Sequence, residues 1–175
     1  RYAVGGVDLA ETTDLCCASA LIPIGGKLKL IQRYFVASAR IELNSKSDKM
    51  AYRMFTNTNA EDPNCKELLQ ICDGPMVRKS EVTLWYRELA DKYGVTFWSI
   101  AYDRWHGGDW SDEMEQYGFP KQNAEGMGCT FPVAMGAKSL SSAMKELKAV
   151  MENKGLEYDR HNGLFRWCCS NVAVV

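Results

Sequence analysis

The sequence of 175 residues lacks the features that mark several classes of protein. No apolar run approaches the ~18 residues that a membrane-spanning helix needs, so we expect no membrane contact. Acidic and basic side chains nearly cancel, with 21 Lys and Arg against 22 Asp and Glu and a formal net charge of -1. Proteins that coat DNA are usually strongly basic, so an argument for nucleic-acid binding must rest on where the charges lie.

Histidine is scarce, with two copies, and the seven cysteines do not have the spacing of a metal site. Their number is odd, two pairs are adjacent and no Cys-x-x-Cys occurs, which excludes a zinc knuckle and a regular disulfide framework. Cys16-Cys17 and Cys168-Cys169 lie in apolar stretches, where a reduced cysteine behaves as a small hydrophobic residue. We therefore expect free thiols and a reducing cytoplasm.

The common motifs of nucleotide binding and hydrolysis are also missing. The sequence has no phosphate-binding loop, no Gly-x-Ser-x-Gly, no His-Glu-x-x-His and no Gly-x-Gly-x-x-Gly followed by a helix. Nothing in the sequence supports nucleotide binding within this chain.

The length suits one domain with a single core, and its first half is typical of a three-stranded meander. Gly25-Gly26 is the expected hairpin turn between the second and third strands. After the meander the apolar period becomes helical, and we expect short helices followed by a longer helix from an N-cap at Ser80 to Gly94. The predicted strands are Tyr2 to Leu9, Leu15 to Ile24 and Lys29 to Val36, and the short helices are Ser47 to Thr56 and Lys66 to Cys72.

The second half alternates between strands and helices. Val95 to Asp103 is almost continuously apolar, which predicts a strand covered on both faces and parallel to an earlier one. A short helix is expected over Asp109 to Tyr117, and the segment Met127 to Ala134 fits either a strand or a loop. A helix over Ser141 to Asn153 should place its apolar stripe in the core. The predicted core stripe is Leu140, Ala143, Met144, Leu147, Val150 and Met151.

Two carboxylates end apolar strands of the predicted sheet. Asp8 follows Ala3 to Val7, and Asp103 follows Val95 to Tyr102. If the two strands are parallel neighbours, both side chains reach the same edge, where a divalent cation would offset their repulsion. Enzymes that hydrolyse phosphodiester bonds with two hard metals use this arrangement. The alternative is that both residues only cap turns.

Charge is unevenly distributed along the chain. Between Lys27 and Arg53 seven cations face two anions, and between Asp103 and Glu125 six anions face two cations. A basic hairpin and helix could hold backbone phosphates while the acidic edge holds metal. The alternative, which charge alone favours, is that both segments are ordinary solvated faces. The candidate DNA-binding residues are Lys27, Lys29, Arg33, Lys46, Lys49 and Arg53.

An ordered set of segments resembles the nuclease domain of the large terminase subunit of tailed bacteriophages or prophages. The segment Val4 to Asp14 is similar to the opening strand and turn of that domain. The second catalytic strand of the domain is matched by Cys72-Asp73-Gly74 together with Ile100 to Trp105. Leu140 to Leu147, His161-Asn162-Gly163 and Arg166-Trp167 through Asn171-Val172 are similar to its late helix and its Asn-Val strand. The resemblance spans nearly the whole chain in the same order.

The resemblance implies an α/β, ribonuclease H-like fold, with a mixed central sheet of an antiparallel three-strand meander plus parallel strands, flanked by helices. It also implies an endonuclease that cuts concatemeric double-stranded DNA with two Mg2+ or Mn2+ ions during genome packaging in the bacterial cytoplasm. The first catalytic aspartate of the family falls on Asp8 and the second on Asp103, both as metal ligands. Asp14 matches an acidic position that could lie close to the metals as a further ligand or only cap the first turn. Partners in the family are the small terminase subunit and the portal of the procapsid.

The resemblance also implies that the 175 residues form one nuclease domain cut from a longer chain. The family's ATPase motor would precede residue 1, and its third catalytic carboxylate, which follows the Asn-Val segment, would lie beyond Val175. The alternative is that another carboxylate serves, although the context of Asp159 does not match. His106 could approach DNA, whereas Arg166 and Asn171 are expected to hold the sheet edge. The alternatives are another ribonuclease H-like nuclease, such as a resolvase or transposase core, and a nucleic-acid-binding module of the same fold without metal.

Overall fold

The computed structural model describes residues 1–10, 14–56 and 68–171, so residues 11–13, 57–67 and 172–175 lie outside it. The strands in these ranges are β1 (Tyr2–Asp8), β2 (Cys16–Ile24), β3 (Lys27–Ala37), β4 (Leu69–Cys72), β5 (Thr96–Asp103), β6 (Thr130–Val133) and β7 (Leu156–Tyr158). The helices are α1 (Ile41–Ser47), α2 (Lys79–Tyr93), α3 (Gly108–Gln116), α4 (Ala137–Glu152) and α5 (Gly163–Ser170), with a 3-10 helix at Tyr52–Phe55.

The strands form one mixed sheet in the order β4-β3-β2-β1-β5-β6, and β7 pairs with the first residues of β3. The pairs β1/β2 and β2/β3 are antiparallel, whereas β4, β5, β6 and β7 join their neighbours in parallel. Helices flank the sheet. The predicted α/β fold, an antiparallel meander extended by parallel strands, is therefore confirmed.

The turn between β2 and β3 shows how local sequence sets the meander. Gly25 and Gly26 have φ angles of 59° and 77°. Positive φ at both central residues is the signature of a type I′ turn, which suits the twist of paired strands and favours glycine. The hairpin predicted at Gly25-Gly26 is confirmed.

The main core lies between the sheet and helices α2 and α3. Tyr86 of α2 is fully buried, and its hydroxyl donates to Gly6 O at 3.0 Å. A Cβ on Gly5 would lie 3.0 Å from Ile100 Cγ1 and 3.1 Å from the Tyr86 ring, so glycine lets the helix approach β1 closely. A second core packs α1, the 3-10 helix and α5 on the opposite face, over β2, β3 and β4.

Several sequence predictions in the first half are wrong. Leu69 to Cys72 forms strand β4 rather than a helix, because it pairs with Tyr34 to Ala37 of β3, and residues 66 and 67 lie outside the described ranges. The helix predicted at Ser47 to Thr56 is replaced by the earlier α1 and the 3-10 helix. Ser80 lies inside α2, which begins at Lys79, although Gly94 ends it as predicted with φ 61°.

Strand β5 is parallel to β1 as predicted, but it is not covered on both faces. One face packs in the main core through Phe97, Ile100 and Tyr102. On the other face Trp98 is 64% exposed and stacks on Tyr2, with the ring centroids 5.0 Å apart.

The two predictions for the late segments are also wrong. No residue of α4 is buried by the described part of the chain, so its apolar stripe is not core. Arg166, expected at the sheet edge, lies within helix α5 instead, and Val172 of the segment similar to an Asn-Val strand lies outside the described residues. Asn171 continues the helical pattern, since its backbone N–H donates to Trp167 O and Cys168 O, both at 3.2 Å.

Across residues 1–10, 14–56 and 68–171, no helix is both long and apolar enough to cross a membrane.

The six cysteines in the described ranges are free thiols, as expected from the sequence. Burial raises the pKa of Cys72 and Cys129 to about 11, so neither thiol is activated as a nucleophile.

Candidate active site

The site is built where β1 and β5 end side by side. Their parallel register pairs Gly6 with Ala101 and Val7 with Tyr102, so Asp8 and Asp103 follow at adjacent positions. Val7 and Tyr102 point into the main core, and successive side chains of a strand alternate between faces. Asp8 and Asp103 therefore lie on the opposite face, at the same edge of the sheet.

Asp103 is held by the turn that follows it. Its side chain is 10% exposed, and Oδ1 accepts the backbone N–H of Trp105 at 3.1 Å. Oδ2 lies 2.9 Å from His106 Nδ1, within hydrogen-bond distance. The hydrogen bond from Trp105, followed by the contact with His106 and the charge of Arg104, lowers the pKa of Asp103. Asp103 is thus an ionised carboxylate with both oxygens engaged.

The turn itself requires glycine. His106 and Gly107 donate their backbone N–H groups to Asp103 O at 3.3 and 2.9 Å. A Cβ on Gly107 would lie 2.2 Å from Cδ2 of the Tyr102 ring, far inside van der Waals contact. Gly107 therefore lets the chain fold back tightly enough to bring Trp105 and His106 against the carboxylate.

Asp8 has the opposite electrostatic character. Partial removal from water is the main cause that raises its pKa, and the negative charge of Asp103 is the second. His106 lowers the pKa of Asp8, and Asp14 raises it. These effects place Asp103, His106 and Asp14 within electrostatic reach of Asp8.

The donor chemistry of the site suits a hard cation, although the set is small. Asp8 and Asp103 offer carboxylate oxygens, which Mg2+ and Mn2+ prefer over nitrogen or sulfur. Asp14 is exposed just before β2. Within the described ranges, no group of three or more His, Cys, Asp or Glu side chains is arranged to hold a metal ion. The pair fits part of a metal site, and two ions would need further oxygen ligands.

The structure separates the basic hairpin from the carboxylates. Asp8 lies opposite Cys17 of β2, whereas Lys29 lies opposite Ile22. Along β2, the positions opposite Asp8 and Lys29 are five residues apart, which is about 17 Å at ~3.3 Å per residue. Lys27 and Lys29 also form ion pairs with Glu157, at 2.6 and 3.5 Å.

The remaining candidate cations divide between the two faces. Arg33 lies 3.9 Å from Glu88 of α2, on the face away from Asp8. Lys46, Lys49 and Arg53 belong to α1 and to the segment after it, which pack on the same face as Asp8, and Arg53 pairs with Glu42 at 2.6 Å. Of the six predicted DNA-binding residues, three lie on the face of the carboxylates.

Sequence reasoning named His106 as a residue that could approach DNA but missed its contact with Asp103, and it gave Trp105 no role. His106 is a partner of Asp103, and the Asp-x-x-His spacing after a strand end was the available signal. Trp105, between them, is 79% exposed, the largest exposure among the large apolar side chains of the described residues. On the other side of the turn, Lys79 Nζ donates to His106 O at 3.0 Å.

Comparison with known proteins supports the fold. No protein-family model matches the sequence, and no curated protein matches it. Among solved structures, the chain is similar to the crystal structure of the HK97 bacteriophage large terminase, with a TM-score of 0.72 and 20% sequence identity. The match covers 93% of this chain and 30% of the terminase, so the chain spans less than a third of that protein. The match shows that this chain shares the fold of part of that protein, as expected from the sequence.

Proposed function

We propose that this chain is the metal-dependent endonuclease domain of a phage DNA-packaging terminase, which cuts concatemeric double-stranded DNA. The observation that carries the proposal is the placement of Asp8 and Asp103 side by side at the ends of two parallel strands. The terminase-type fold supports the choice of this nuclease over a resolvase or transposase core.

The two carboxylates would have different roles. Asp103, ionised and held by Trp105 and His106, provides a fixed negative charge for a divalent cation. Asp8 approaches from β1 with a pKa raised by burial and by the charge of Asp103, and a bound cation would offset that repulsion. Bound Mg2+ or Mn2+ would supply Lewis-acid activation of water and of the scissile phosphate. Asp14 would complete the acidic edge.

Double-stranded DNA would lie over the face that carries Asp8. Lys46, Lys49 and Arg53 are the candidate phosphate contacts on that face, because Lys27 and Lys29 lie at the far end of the sheet. Within a complete terminase, the small subunit and the procapsid portal would be the partners, and the reaction would occur in the cytoplasm of the bacterial host.

The test is nicking of supercoiled plasmid in Mg2+ or Mn2+ by the wild-type chain and by Asp8→Asn and Asp103→Asn. Asp91→Asn is the matched control, because Asp91 is an exposed carboxylate on α2 that pairs only at the surface with Arg87. We expect nicking by wild type and by the control, and loss of at least about 100-fold in both site variants. Equal nicking by all four proteins would reject the site.

A second candidate function is a nucleic-acid-binding module that does not cut. It is favoured by the lack of a three-residue metal cluster in the described ranges and by the engagement of both Asp103 oxygens. Plasmid binding that is unaffected by Asp8→Asn, together with no nicking in either metal, would support this function over the endonuclease.

A further inference from the structure

We propose that Trp105 is a DNA-contacting residue at the candidate active site, whose indole stacks on an unpaired base of the strand held beside Asp103. The inference rests on the proposed function for the identity of the ligand. It adds that the double-stranded substrate is locally opened beside Asp103, so that one base becomes free to stack.

The position of Trp105 is fixed relative to the carboxylate. Its backbone N–H donates to Asp103 Oδ1 at 3.1 Å, and the next two backbone N–H groups donate to Asp103 O. Gly107 closes the turn against the Tyr102 ring, which packs on Trp110 with the ring centroids 5.8 Å apart. The indole is therefore carried by a tight turn anchored on the buried end of β5.

Among the described residues, the indole has no partner that would explain its position. Trp105 is 79% exposed, and no aromatic ring or cation of the described residues stacks on it. Trp85 and Trp110 are buried, and the other well-exposed tryptophan, Trp98, stacks on Tyr2. A large apolar side chain left in water forgoes the free energy of burial, so its exposure at a functional edge favours a contact with a ligand.

The surroundings of the indole favour a nucleotide as that ligand. Arg104 precedes Trp105, and the Lys79 ammonium lies at the backbone of His106, so positive charges flank the turn. Cations that attract the backbone, combined with an aromatic platform for bases, are the pattern of proteins that bind single strands. Stacking requires an open base face, which an intact duplex does not offer, so a single strand is the probe for this contact.

The experiment measures binding of a fluorescein-labelled 20-nucleotide single strand and of its duplex by anisotropy, in EDTA so that no cleavage occurs. The proteins are wild type, Trp105→Ala, Trp105→Phe and Trp98→Ala, the last as a matched exposed tryptophan elsewhere on the sheet. We expect Trp105→Ala to weaken single-strand binding by about 5-fold to 150-fold, the range for loss of one stacked base. Trp105→Phe should recover most of the affinity, and Trp98→Ala should bind as wild type.

Two further readouts separate stacking from a structural effect. The salt dependence of single-strand binding should be unchanged in Trp105→Ala, because no phosphate contact is removed. Duplex binding should change by less than about 2-fold, since a paired base gains little from the platform. No binding by wild type, equal single-strand binding by Trp105→Ala, or equal losses on both DNAs without recovery by Trp105→Phe would overturn the proposal.

The outcome is independent of the nuclease assay. If Trp105→Ala loses single-strand affinity while the wild-type chain cuts no plasmid, the proposed endonuclease fails and the stacking residue stands. The opposite result is that wild type cuts plasmid and Asp8→Asn does not, while Trp105→Ala keeps the wild-type single-strand affinity and the wild-type cutting rate. In that case only the stacking proposal fails.

Discussion

Asp8 and Asp103 end adjacent parallel strands, yet the structure shifts the pKa values of the two carboxyl groups in opposite directions. The backbone N–H of Trp105 stabilises the ionised form of Asp103, and that negative charge then helps to disfavour ionisation of Asp8. Such divergence between neighbouring acids is common where a cation or a proton is held. The opposite pKa shifts of Asp8 and Asp103 lead to separate predictions for the response of the site to metal and to pH.

Added Mn2+ should stabilise the wild-type chain through this pair of carboxylates. At a metal concentration 100 times Kd, binding to the folded state contributes about 2.7 kcal/mol. For a chain of this size that corresponds to a rise in Tm of about 5–10 °C by differential scanning fluorimetry. Asp8→Asn and Asp103→Asn should lose most of the rise, and Asp91→Asn should keep it. An equal rise in all four proteins would place the metal elsewhere.

Without metal, Asp8→Asn should raise the free energy of unfolding at pH 7. A folded pKa above the unfolded value of 3.8 means that the folded state resists loss of the proton, so the carboxylate costs stability once the pH exceeds both values. The difference in the free energy of unfolding between Asp8→Asn and wild type should shrink as the pH falls toward 3.8. Urea unfolding of both proteins in EDTA between pH 7 and pH 4 measures this difference.

Asp103→Asn provides the contrast, because its pKa is lowered in the folded state. The ionised form stabilises the fold above the unfolded pKa, and that contribution is lost as the pH falls through the folded pKa. The variant should therefore be less stable than wild type at pH 7. The same sign for both variants would show that the two carboxylates are not electrostatically distinct.

The sequence predicts the meander and the position of the carboxylates well, because both depend on local patterns. The alternation of apolar and polar residues and the Gly25-Gly26 turn determine β2 and β3. A helix followed by an apolar strand predicts that β5 is parallel to β1, which places Asp103 beside Asp8. Strand β4 could not be predicted in the same way. Leu69 to Cys72 is too short for its period to separate helix from strand, and pairing with β3 decides between them.

Other differences arise because a periodic pattern does not identify what covers a face. The stripe of α4 is correctly helical, but periodicity alone cannot show that no described residue packs on it. The pairing of His106 with Asp103 depends on a turn that only the close approach of Gly107 permits. The far-end position of Lys29 follows from strand register, which charge counting ignores.

The turn after Asp103 should be sensitive to a single methyl group. In Gly107→Ala the new Cβ would lie 2.2 Å from the Tyr102 ring, and relief of this clash should cost about 1–3 kcal/mol. Gly108→Ala is the matched control, because its Cβ meets nothing within 4 Å at the first residue of α3. It should be neutral or stabilising by up to about 1 kcal/mol.

Chemical denaturation of both variants measures the difference, and plasmid nicking gives a second readout. If the turn positions Asp103, Gly107→Ala should lose nicking activity beyond its loss of stability, whereas Gly108→Ala should cut as wild type. Equal stability of the two variants would mean that the chain follows a different path after β5.

The exposed stripe of α4 and the buried core under α5 should respond very differently to the same truncation. Leu164 is completely buried among Tyr34, Tyr52 and Leu69, so Leu164→Ala should cost about 2–5 kcal/mol. Leu147 is 41% exposed on α4, where no residue is buried, so Leu147→Ala should cost less than about 0.5 kcal/mol. Urea unfolding of the two variants under the same conditions compares them directly. A cost above about 2 kcal/mol for Leu147→Ala would show that the α4 stripe is covered in solution, as its helical period alone would suggest.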